Sequence, residues 1–296
     1  MAVDAAPYGT ICKLARFALT TTNAARLAAF YESACGFRRL QSQYLPGVDF
    51  KSLLDVEGGA HCITLGAGEE ILELLEFNQP GRLYPQDSSA ADPVFQHFAL
   101  VVSDINEAYR RLSAVAEWTA ISTNGPERLP LTSGGVTAFK FRDPDGHPLE
   151  LLAFSPANVP PRWRRGSDSA VCLGIDHSAI SVRDSRRSIA FYAGLGLKVA
   201  ARSLNSGPEQ ERLDGIPQSR VEVIAVAPRH ATPHIELLCY QSAGPAAALT
   251  LRYNDVATTR LVLEMWSEPA TTTANSVARQ LLDPDGHHLL IVPTLK

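Results

Sequence analysis

The chain has 296 residues, too many for one small domain and comfortable for two. Its 45% apolar and 20% charged residues fit a soluble globular protein, and no run of 18 apolar residues offers a membrane span. A net charge of −4 gives no footprint for nucleic acid and no pull toward an anionic membrane.

The N-terminal MAVDAAPYGT lacks a basic region followed by an apolar core, so no signal peptide is expected. RFALTTTNAARLAAFYESACGFRRL (16–40) reads as strand, helix and strand, with Asn23 as the helix cap and Gly36 as its stop. EEILELLEF (69–77) is a strand whose apolar run is interrupted by Glu73. A second unit opens at VFQHFALVVSDINEAYRRL (94–112), with Ser103-Asp104 as cap, and ends in FRDPDGHPLELLAF (141–154), which carries Glu150. A linker rich in Pro, Ser and charge covers 156–170; its RWRRG is read as a solvated face. HSAISVRDSRRSIAFYAGLGLKVAA (177–201) then aligns with 16–40 without a gap, and TPHIELLCY (232–240) sets Glu236 opposite Glu73. A shortened fourth copy, from about 249 to 294, keeps the Asp-Pro-Asp-Gly-His turn in LLDPDGHHLLIVPT, but Leu290 stands where Glu150 stands in the second copy. The chain is therefore an internal repeat of four strand–helix–strands units in two pairs.

Five scattered cysteines, odd in number and without C-x-x-C, fit buried thiols in a reducing cytoplasm better than a disulfide framework or a zinc ribbon. No Gly-rich phosphate loop or nucleophile elbow is present. His147, His287 and His288 are read as turn residues at the rim, His230 and His234 as exposed, His61 and Cys62 as structural, and Tyr31 and Tyr192 as core.

FYESACGF, FYAGLGLKV, LDGIPQSRVEVIAVA, IELLCY and the two DPDGH turns together resemble the vicinal oxygen chelate superfamily, over about 10–294. Glyoxalase I, bleomycin and fosfomycin resistance proteins, methylmalonyl-CoA epimerase and type I extradiol dioxygenases belong to it. The resemblance implies an α+β fold of four βαβββ units in two pairs, each pair a curved mixed sheet forming a cup with helices outside. It places an N-terminal glyoxalase-like domain at 8–155, from units 10–80 and 92–155, and a C-terminal one at 171–296. It also implies a metal site at one inward position on the first and last strand of each unit, in the order neutral ligand, Glu, His, Glu.

Carried over by position, the N-terminal pair offers Arg16, Glu73, His97 and Glu150, and the C-terminal pair His177, Glu236, a residue near Arg252, and Leu290. Glu73, His97 and Glu150 are competent ligands for Zn, Mn, Fe, Co or Ni, whereas Arg16 cannot ligate a cation. Two readings stay open. Three ligands hold a metal while Arg16 binds a substrate carboxylate or phosphate, or Arg16 fills the cup and pairs with Glu73 and Glu150. The expected function is a metal-assisted lyase or isomerase step beside a carbonyl of a small molecule, with Glu73 or Glu150 moving the proton. The alternatives are a metal-free small-molecule binder of the sequestration type and, third, a ring-cleaving dioxygenase. The dioxygenase is disfavoured because Leu290 replaces a needed Glu and the fourth unit lacks a His. His177 and Glu236 form a secondary candidate pair. The protein is expected to be cytoplasmic, as monomer or homodimer, with no nucleic-acid or membrane partner.

Overall fold

The computed structural model describes residues 10–164, 170–230, 232–241, 250–266 and 278–294. Residues 1–9 and linker residues 165–169 lie outside them. Unit 1 comprises β1 (Thr10–Thr20), α1 (Ala24–Cys35), β2 (Arg38–Leu45), α2 (Gly47–Leu54), β3 (Ala60–Ala67) and β4 (Glu70–Phe77). Unit 2 comprises β5 (Gln96–Val102), α3 (Ile105–Ser113), the short β6 (Thr119–Ala120) and β7 (Glu127–Arg128), β8 (Thr137–Arg142) and β9 (Pro148–Ala153). Unit 3 has β10 (Cys172–Ser181), α4 (Ser185–Gly194), β11 (Lys198–Ser206), α5 (Pro208–Asp214), β12 (Arg220–Ala227) and β13 (His234–Tyr240). Unit 4 contributes β14 (Thr259–Trp266), β15 (Arg279–Leu282) and β16 (His288–Pro293).

The helix ends follow the local chemistry. Asn23, Asp104 and Asp184 accept hydrogen bonds from the first free N–H groups of α1, α3 and α4. Gly36 ends α1 at φ 72°, a left-handed conformation that glycine adopts without strain.

Two mixed sheets form, as expected, but not from the expected partners. The seven-stranded sheet runs β15-β16-β14-β1-β4-β3-β2, and the nine-stranded sheet contains β11-β12-β13-β10-β5-β9-β8-β6. Unit 1 thus pairs with unit 4, and unit 2 with unit 3. The joints are antiparallel: Phe17 faces Leu261 between β1 and β14, and Ala179 faces His97 between β10 and β5. A cup built from 8–155 alone, or from 171–296 alone, is therefore corrected. Each half of the sequence gives one unit to each sheet.

What joins the halves internally is the helical layer and the repeated turn. α1 packs on α3. Tyr31 Oη donates to Asp143 at 2.9 Å, and Tyr192 Oη to Asp283 at 3.3 Å. His147 and His287, expected at the rim, are buried. Nε2 of His147 lies 2.9 Å from the Thr20 carbonyl at the end of β1, and Nε2 of His287 lies 3.0 Å from the Ser181 carbonyl at the end of β10. Asp145 holds the unit 1 loop through Thr21, Thr22 and Arg26, while Asp285 holds Arg183 of unit 3. Each copy of the turn thus pins two consecutive units, which accounts for its duplication. The linker is also corrected: Trp163 is buried, and Arg162 ion-pairs with Glu70.

Strand alternation sorts the side chains. Phe17, Leu19, Leu72, Leu74, Phe98, Leu100, Leu149 and Leu261 point into a single core between the sheets and helices. Their strand neighbours Arg16, Glu73, His97, Glu150 and Arg260 point to the concave faces. Each fully buried Leu or Phe contributes roughly 2 kcal/mol, which fixes the register and so the direction of every polar neighbour.

Candidate functional site

The nine-stranded cup gathers His97 from β5, Glu150 from β9, His177 from β10 and Glu236 from β13. His97 Nε2 lies 3.0 Å from Glu150 Oε2. His177 Nε2 lies 3.8 Å from the same oxygen and 3.5 Å from Glu236 Oε2. One donor atom each from His97, Glu150 and His177 falls within 4.8 Å of the others, and all three residues are buried. They sit at the wall of a cavity of about 370 Å³, which Leu152, Val221 and Leu238 line with apolar surface.

His177 is oriented from behind. Trp163 Nε1 donates to Asp176 Oδ1 at 3.1 Å, and Asp176 Oδ2 lies 3.0 Å from His177 Nδ1. That carboxylate holds the ring in place, and Nε2 is buried without a hydrogen-bond partner among the described residues. His234, expected to be exposed, instead lies half-buried on β13, its ring 5.3 Å from that of His177 and its Nε2 3.7 Å from Glu236 Oε1.

The charges are tightly coupled. Burial disfavours the charged form of Glu150, but His97 and the Lys140 ammonium hold its carboxyl below the usual range. Burial pushes the His97 imidazole down. For His177 burial also works downward, yet Glu236 and Asp176 outweigh it and raise the imidazole to about 9. Glu236, lifted by burial, is brought down to about 2 mainly by His177. Lys140 enters the same cavity and pairs with buried Asp214 at 2.7 Å. The sequence reading missed Asp176, Lys140 and Asp214. Strand alternation is a usable signal for Lys140, which lies opposite Glu150 across β8 and β9.

Arg16 and Glu73 are not part of this cluster. They belong to the seven-stranded cup, where Arg16 Nε lies 3.0 Å from Glu73 Oε1. The expected ligand set Glu73, His97 and Glu150 is therefore divided between two sheets, and Arg16 is paired with Glu73 without Glu150. Arg260, rather than a residue near Arg252, takes the β14 position, facing Ala18 as His97 faces Ala179. The signal was present: TRLVL aligns with QHFAL. The space of this cup is packed by Leu54, Leu75, Phe77 and Tyr253, with Phe50 and Leu53 of α2 against them.

Two curved mixed sheets with polar residues at the inward positions of the first and last strands define a glyoxalase-type fold. Residues 13–151 match the family model described as Glyoxalase/Bleomycin resistance protein/Dioxygenase superfamily, which marks a domain of that superfamily over this part of the chain. Among solved structures, glyoxalase I from Zea mays is similar, at 18% identity and a TM-score of 0.59, covering 98% of this chain and 95% of that one. A putative dioxygenase from Bacillus subtilis is similar at 10% identity and a TM-score of 0.57, covering 96% of this chain and 86% of that one. Both likenesses are of fold. No curated protein matches the chain. Among the described residues no helix is long and apolar enough to cross a membrane.

Proposed function

We propose that the nine-stranded cup is a divalent-metal site carrying out a lyase or isomerase step beside a carbonyl of a small molecule. The observation that carries this reading is the convergence of His97, Glu150 and His177 donor atoms within 4.8 Å beside the cavity. With Glu236 the donors run His, Glu, His, Glu in chain order, the pattern the family resemblance implies. The residues fit such an ion: two imidazoles and two carboxylates suit Zn, Mn, Fe, Co or Ni. Nε2 of His177, with the ring held by Asp176, makes no hydrogen bond among the described residues and would ligate once an ion displaces its proton. A bound ion would act as a Lewis acid on the substrate oxygen.

The chain's own residues supply the rest. Glu150, with only 8% of its side chain exposed and held by His97, is a fixed ligand. Glu236 has 24% of its side chain exposed and is the better placed to move a proton from the carbon beside the carbonyl and return it to the neighbouring one. The role expected for Glu73 thus passes to Glu236.

A second reading, a metal-free binder, draws on His177. An imidazolium 3.5 Å from Glu236 and 3.8 Å from Glu150 supplies the counter-charge that two carboxylates need. Metal titration of the purified full-length protein with Mn, Fe, Co, Ni and Zn separates the two. About one equivalent, lost in Glu150→Ala and His177→Ala but kept in Glu73→Gln, is the expected result. No binding of any of the five ions would leave the binder reading standing, and loss in Glu73→Gln alone would move the site to the other cup.

A further inference from the structure

We infer that the seven-stranded cup is a second binding site, for a small oxyanion (a carboxylate or phosphate group) gripped by one edge of the Arg260 guanidinium. Arg260 stands on β14 opposite Ala18 of β1, and Glu73 stands opposite Ala18 on the other side. Arg16, two residues before Ala18, shares the same face. Arg260 is 1% exposed. Its Nη1 donates to Thr20 Oγ1 and to the Tyr253 carbonyl, both at 2.8 Å. Its Nε and Nη2 are buried and have no hydrogen-bond partner among the described residues. These two nitrogens form one edge of the guanidinium plane, the fork that meets a carboxylate or phosphate with two parallel hydrogen bonds.

Among the described residues no carboxylate lies within ion-pair distance of Arg260, and Glu73 is engaged by Arg16 at 3.0 Å. Two guanidinium groups and one carboxylate leave the cup with an uncompensated buried positive charge, an arrangement that an anion repairs. Arg16, with 34% of its side chain exposed, lies at the open side and supplies a second cation. The Tyr253 and Phe77 rings each lie 5.8 Å from the Arg260 guanidinium carbon, so the cation meets π faces and not a carboxylate. Their packing with Leu54 and Leu75 limits what enters to a small anion or the anionic end of a larger molecule.

The inference does not rest on metal binding in the other cup, and its test is separate. Calorimetry and thermal-shift titrations of the full chain with inorganic phosphate, acetate and succinate, at ionic strength held constant with chloride, read it directly. At least one anion should bind saturably at a single site; phosphate alone would mark a phosphate-group reader, and the carboxylates alone a carboxylate reader. Arg260→Met should weaken binding more than tenfold and Arg16→Gln several-fold, whereas Glu73→Gln, which removes the competing carboxylate, should tighten it several-fold. Should Arg260→Met not fold, the opposite signs of the other two variants carry the test. Absence of saturable binding by all three anions overturns the inference. So does equal affinity in Arg260→Met, or affinity unchanged in both other variants.

Discussion

The two cups share a scaffold and a glutamate, and differ at three of four inward positions. Where the nine-stranded cup has His177, Glu236, His97 and Glu150, the seven-stranded cup has Arg16, Glu73, Arg260 and Leu290. One set offers lone pairs to a cation. The other offers N–H groups to an anion, because a guanidinium keeps its proton and has no lone pair to give. The covering helices differ in the same sense. α5 gives Gln210 and Leu213 to the wall of an open cavity, whereas α2 packs Phe50, Leu53 and Leu54 into its cup. A duplicated fold thus presents two different sets of inward side chains. A backbone fixed by one shared core leaves the inward side chains free to differ.

Three further measurements break or sharpen this comparison. The largest effect is expected from neutralising the buried cation of the nine-stranded cup. Lys140→Met strands Asp214, which keeps neutral donors such as Gln210 and Ser219 but loses its cation, so urea unfolding should show a loss of about 3–5 kcal/mol. Arg260→Met, without added anion, should cost no more than about 1 kcal/mol. It removes a cation with no counter-charge, and the Thr20 hydroxyl already donates to the Tyr253 carbonyl. Comparable losses in the two variants would mean that Arg260 is paired after all.

The next is a pH effect confined to the seven-stranded cup. Burial, then the Arg260 cation beside it, holds His288 down to about 4. A folded value below the unfolded one of about 6.5 gives stability that is complete above that pH and lost as pH falls toward 4. Between about pH 7.5 and about pH 5 the loss should be near 2 kcal/mol, and His288→Gln should flatten the stability curve over that window. A variant curve as steep as the wild type assigns the acid sensitivity elsewhere.

The smallest effects concern the repeated tyrosines. Tyr31→Phe, losing a 2.9 Å hydrogen bond to Asp143, should cost about 1 kcal/mol in thermal unfolding. Tyr192→Phe, losing a 3.3 Å contact, should cost less. Equal costs would show that the two halves are braced alike in spite of their geometry.

Much of this was legible in the chain. The repeat and the caps at Asn23, Asp104 and Asp184 follow from local sequence, since each rests on neighbours a few residues away, and the family resemblance implied the α+β class and the inward positions of Glu73, His97, Glu150, His177 and Glu236. Burial of His147 and His287 was not legible, because their partners are carbonyls more than a hundred residues distant.

Partner choice lay beyond the sequence for the same reason. All four units carry the same period-two alternation, so β1 would match β5 as well as it matches β14, and nothing local states which edge it meets. Only the tertiary structure joined His97 and Glu150 to His177 and Glu236, and left Arg16 and Glu73 to Arg260. The sequence by itself determined which side chains face inward; long-range strand pairing decided which of them meet, and therefore which cup suits a cation.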